Sequence, residues 1–136
     1  MTYQNTYEVD ERINDLEYDV EDEIGEEAYT DFINLDEDEF REKYGDDVNV
    51  NDLEELAALH DFRDELQGYC DWRGGETLIH ESRRVEYVEE FARDIGAIGE
   101  TADWIMIDWE TTAIEFFRYD YTYADLQGDT YYVRLR

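Results

Sequence analysis

The chain has no proline, a single lysine and a single cysteine. Without proline there is no proline-rich linker to place, and nothing else in the sequence accounts for its absence. A lone Cys70 excludes an intrachain disulfide framework and a cysteine-based metal cluster. Bases are scarce: eleven Lys and Arg face forty Asp and Glu, giving a formal charge of -29 over 136 residues. That sign excludes direct nucleic-acid binding as the leading idea and disfavours anionic membranes. No apolar run approaches the roughly 18 residues of a membrane span, and the N-terminus lacks the basic and apolar regions of a signal peptide. The expected location is therefore the cytosol of the producing cell. There is no P-loop, no G-x-G-x-x-G and no G-x-S-x-G. Carboxylate pairs are so abundant that pairing says nothing about acid–base roles. Neither enzymatic activity nor a cofactor is expected.

What is present points to a folded chain. Twelve Tyr, six Phe and three Trp are too many for a disordered acidic tail. Charge is unevenly spread: residues 1–60 hold 22 acids and 3 bases, residues 61–136 hold 18 acids and 8 bases. The densest stretch, Glu8–Glu27, carries eleven carboxylates and one arginine. Through it Val9, Ile13, Leu16, Val20 and Ile24 recur at helical spacing. At about 1.5 Å of rise per residue this helix presents roughly one negative charge per 2.7 Å of axis. Duplex DNA presents about one per 1.7 Å. The whole charge matches that of roughly 50 Å of duplex, about 15 base pairs.

The periodicity predicts a helix over Glu8–Ile24 stopped by Gly25, and a segment Glu26–Ile33 offering Tyr29, Phe32 and Ile33 to a core. A short helix capped by Asp36, with Glu39 at the capping-box position, should bury Phe40 and Tyr44 and end at Gly45. A longer helix should start at an Asn51 cap and run to about Tyr69. His60 should pack along its apolar side. Farther on, a loop at Asp71–Gly75 and a short extended piece at Glu76–His80 precede a helix capped by Ser82 and running to Ile95. Ala97–Met106 is apolar and irregular. Asp108 should cap a helix from Trp109 to about Arg118, with Ala113, Phe116 and Phe117 inward. Tyr119–Ala124 and Thr130–Leu135 read as hairpin strands around a turn at Asp125–Asp129, with Tyr119, Tyr121 and Tyr123 on one face. The class is α+β and elongated: an acidic helical module over 1–60, then a small helix-plus-hairpin domain over 61–136.

Three stretches of the second half resemble the ArdA antirestriction family. They are Phe91-Ala92-Arg93-Asp94-Ile95-Gly96, then Asp108-Trp109-Glu110 with Ala113 and Glu115, and finally Tyr132-Val133-Arg134. Gly68–Ser82 also looks like a segment of phage relatives. The likeness covers about residues 66–136; residues 1–60 differ from the β-rich start of that family. The resemblance implies an elongated B-DNA mimic, often a homodimer, that occupies the DNA groove of type I restriction-modification enzymes. Its dimer region would lie near Arg93–Trp104.

The expected function is thus inhibition of a DNA-binding host defence enzyme, by occupation and without chemistry. Other DNA-binding targets, such as a CRISPR effector or a repair enzyme, are alternatives. So is a salt-adapted acidic protein, for which one lysine against ten arginines would also fit. The carboxylates expected to meet the partner are Asp10, Glu11, Asp15, Glu17, Asp19, Glu21, Asp22, Glu23, Glu26, Glu27, Asp36, Glu37, Asp38, Glu39, Glu86, Glu89, Glu90 and Asp94. Ile98, Trp104 and Ile105 are expected at an oligomer contact. Asp19–Glu23 and Asp36–Glu39 are rich in oxygen ligands, but neither has the alternating ligands, sixth-position Gly and twelfth-position Glu of a calcium loop. No metal is expected. His80 is isolated in sequence, and a negative field opposes thiolate formation at Cys70.

Overall fold

The computed structural model describes residues 2–97 and 105–136. It contains helices α1 (Thr6–Glu23), α2 (Ala28–Asn34), α3 (Glu37–Tyr44), α4 (Val50–Leu66), α5 (Arg84–Asp94) and α6 (Trp109–Tyr119). Three antiparallel strands, β1 (Ile79–His80), β2 (Tyr121–Leu126) and β3 (Asp129–Arg134), form one sheet in the order β1-β3-β2. The protein is α+β, as its patterning indicates.

Each helix starts where a side chain accepts an otherwise unpaired N–H, or where a preceding turn supplies the bonds. Asn5 accepts from Glu8, Asp36 from Glu39, and Asp108 from Thr111. The α4 cap is Asn49 rather than Asn51. Both asparagines suit the role, and sequence spacing alone does not separate them. Ser82 does not cap α5. It lies in a short 3-10 turn over Glu81–Arg83, whose cap is the imidazole of His80. The α4 helix also stops at Leu66, three residues short of the expected Tyr69.

The sheet is a thin middle layer with a helix pair on each side. Period-2 alternation sends Ala124, Leu126, Tyr131 and Val133 toward α1 and α4. There they meet Val9, Ile13, Leu16, Leu56, Leu59, Phe62 and Leu66. The opposite face carries Ile79, Tyr121 and Tyr132 against Val88, Ala113 and Phe117 of α5 and α6. A third cluster at the far end of α1 and α4 joins Val20, Ala28, Phe40 and Leu53. The clusters follow one another through shared elements.

Several expectations need correction. A division at residue 60 falls inside α4, and the central cluster draws on both sides of it. Ile33 is exposed; Ala28, one turn earlier, is the fully buried residue of α2. Tyr119 ends α6 instead of opening a strand, so only Tyr121 and Tyr123 share a β2 face. The hairpin loop is two residues long, because Leu126 pairs with Asp129 across the strands. Gln127 and Gly128 both take positive φ, 48° and 88°. Two such residues give the loop the twist that matches the strands it joins.

Candidate functional site

The carboxylates of α1 divide into three angular sectors. At about 100° per residue, Val9, Ile13, Leu16 and Val20 occupy one side and are buried. Asp10 and Glu17 flank that stripe, seven residues apart on the same edge. They are not free. The Trp72 indole donates to Asp10 at 2.9 Å, and Arg63 approaches the same oxygen at 3.4 Å. Arg63 also donates to His60 Nδ1 at 3.0 Å, and His60 Nε2 lies 3.0 Å from Glu17. A guanidinium can only donate, so Nδ1 accepts and the ring proton sits on Nε2, facing Glu17. His60 stacks on Tyr29 with ring centroids 5.2 Å apart. It is a bridging residue on the edge of the core, not a buried apolar-face histidine. On the other edge Arg12 holds Glu55 at 2.7 Å. Glu8 accepts from the Gln4 backbone N–H. These bonds fix α1 on α4 and set the direction in which the remaining acids point.

What remains on α1 and just after it is Glu11, Asp15, Asp19, Glu21, Asp22, Glu23, Glu26 and Glu27. All are exposed, and none makes an ion pair among the described residues. The six on α1 span about 18 Å of axis, roughly one charge per 3 Å. The density suggested by the sequence thus largely survives after the structural acids are removed.

On α3 the four consecutive acids have different roles. Asp36 is the cap, and the Glu39 backbone N–H holds its carboxyl below the ordinary value. Glu39, facing that carboxylate, is pushed up. Glu37 is paired with Arg41 at 2.6 Å, and Asp38 is free and exposed. Asp31, not anticipated from sequence, accepts from Lys43 at 2.7 Å and from the Tyr44 hydroxyl. The Lys43 ammonium, then Tyr44, lowers the Asp31 pKa. The α2–α3 link this provides is therefore complete above the ordinary carboxylate range and is lost as pH falls through the lowered value. A sequence signal existed in principle, since Lys43 is the only lysine, but twelve residues separate the pair. On α5, Glu86 lies 3.6 Å from Arg83 and Glu89 2.7 Å from Arg93, while Glu90 and Asp94 are exposed and unpaired among the described residues.

Ile105 is half-exposed and Met106 is 93% exposed. Ile98 and Trp104 lie outside the described residues. Cys70 is buried, and burial together with Glu76 and Asp71 pushes its thiol up, away from reactivity. His80 is not isolated in space. Its Nε2 lies 3.0 Å from Asp129, and Nδ1 accepts from the Ser82 hydroxyl at 2.8 Å. This order resembles a nucleophile–base–carboxylate chain. The same Nδ1, however, accepts the Ser82 backbone N–H at 3.1 Å. The imidazole therefore serves as the cap of the turn that launches α5. Among the described residues no three His, Cys, Asp or Glu side chains converge on a metal position, and no helix is long and apolar enough to cross a membrane.

Two neighbouring carboxylates should separate these roles experimentally. Asp10→Ala removes the acceptor of the Trp72 indole and of Arg63, and is expected to cost about 1–2 kcal/mol. Glu11→Ala, one residue on, should change stability by less than about 0.5 kcal/mol. Urea unfolding measures both, and equal losses would contradict the assignment of Asp10 to the scaffold. Comparison with known proteins finds no matching family, no curated relative and no similar solved structure.

Proposed function

We propose that this protein inhibits a DNA-binding host defence enzyme by occupying its DNA groove in place of duplex DNA. The preferred target is a type I restriction-modification complex, a choice that rests on the ArdA resemblance. One observation carries the mimicry itself: a run of carboxylates on α1, unpaired among the described residues and spaced about as closely as the phosphates of one DNA strand, on a helix whose opposite side is locked into the core. The helix fixes the backbone these charges project from, so only their side chains are ordered on binding, and a groove built for phosphates supplies the complementary field. Inhibition is competitive and involves no bond making or breaking.

Displacement of fluorescent duplex DNA from a purified type I restriction-modification enzyme tests the proposal. The inhibitor should compete with DNA. Its affinity should fall by about a thousandfold or more between 50 and 200 mM salt, as expected for six or more neutralised charges. Affinity that ignores salt, or inhibition without displacement, would contradict groove occupation. Circular dichroism at low salt addresses the salt-adapted reading, which requires unfolding there. A mimic keeps its helices.

A further inference from the structure

Two exposed aromatic rings stand out on the polar side of α1. Tyr7 and Tyr18 are eleven residues apart, about three helical turns and 16 Å of rise. They project within about 20° of one another, opposite the buried stripe. Their exposures are 59% and 71%, although each ring is large enough to be worth burying. Tyr18 makes no ring contact or hydrogen bond among the described residues. Tyr7 is held: Gly75, at φ 79°, leaves its ring resting on bare backbone that a Cβ would obstruct. Glu11, Asp15 and Asp22 project in the same sector and are exposed. The helix face therefore intersperses aromatic rings with unpaired carboxylates and, apart from the contact of Tyr7 with Gly75, has no partner among the described residues.

We propose that this face docks arginine side chains, so that the cationic groove it enters is lined by arginine at α1. Charge complementarity selects a cation. The rings select which cation. A guanidinium is planar, weakly hydrated and forked, so it can lie on a tyrosine face while donating to a carboxylate one turn away. An ammonium is a compact, strongly hydrated point charge and gains less from the ring. The inference rests on the groove-occupation reading for the partner's identity, but its chemistry is tested without that partner.

The protein is titrated with decaarginine and with decalysine, and binding is followed by calorimetry at fixed salt. Decaarginine should bind about five- to tenfold more tightly. The double substitution Tyr7→Ala/Tyr18→Ala should bring the ratio to within about twofold. Tyr7→Phe/Tyr18→Phe keeps the ring faces and should keep the ratio. Tyr18→Ala alone should lose part of the preference, and it decides the matter if changing Tyr7 disturbs the contact with Gly75. Equal binding of the two peptides by the parent protein overturns the proposal, as does an unchanged ratio in the double alanine variant. DNA displacement is a separate readout. If displacement persists while the arginine preference is absent, only the arginine ridge is wrong. If the preference is present without displacement, only groove occupation is wrong.

Discussion

Reversing Glu11, Asp15, Asp19, Glu21 and Asp22 to lysine is expected to abolish inhibition, weakening the affinity for the target by at least about a thousandfold. Glu11, Asp15 and Asp22 cluster opposite the buried stripe of α1, with Asp19 and Glu21 toward its two edges; all five are exposed and make no ion pair among the described residues. Reversal both removes five attractions and adds five repulsions in the same groove, and the salt dependence of what binding remains should flatten. The fold should survive. Five reversals move the formal charge from -29 to -19. That reduces self-repulsion, so the variant should unfold no more easily than the parent. Displacement of duplex DNA, with circular dichroism as the folding control, measures the two effects separately. A folded variant that inhibits fully would remove this face from the mechanism. Single reversals should matter far less, because the charge is distributed.

The second large effect concerns the scaffold. Phe62→Ala should destabilise the protein by about 3–5 kcal/mol, a large share of the 5–15 kcal/mol typical of a domain. Phe62 is fully buried at the junction of the helical and sheet layers, with ring centroids 6.1 Å from Trp72 and 5.7 Å from Tyr131. Its removal opens a cavity shared by α4, the Trp72 turn and β3. Helical and aromatic signals should therefore be lost together, in one transition at lower urea. Two separated transitions would mean that residues 1–60 and 61–136 fold as independent units, contrary to the central cluster. Added salt should recover part of the loss by screening the excess of like charge.

The two variants bear on what is legible in a chain of this kind. The α1 stripe, the Asp36 and Asp108 caps, the Gly25 and Gly45 stops and the existence of a C-terminal hairpin could all be read from spacing, since each depends on neighbours within about one turn. The Asn49 cap is not legible from spacing because Asn49 and Asn51, two residues apart, satisfy the same local rule. The two-residue turn was missed because Asp125 and Leu126 look like turn and strand equally well until cross-strand pairing chooses. The domain boundary was misplaced for a different reason. A change in composition at residue 60 reports surface charge, whereas the buried Leu56–Leu59–Phe62–Leu66 stripe runs through it without interruption.

Sequence by itself determined the sign and amount of charge, the α+β class and the side of α1 that faces inward. These follow from composition and from a period of 3.6, which need no knowledge of distant residues. Only the tertiary structure decided which acids are free. Asp10, Glu17, Glu37 and Asp31 look like their neighbours in the chain, yet each is held by a specific partner: Trp72 with Arg63, His60, Arg41, and Lys43 with Tyr44. All but the Glu37–Arg41 pair are brought together by packing across more than ten residues of sequence. A carboxylate's availability depends on what the fold places within about 3 Å of it, and in this protein that distance separates scaffold from surface.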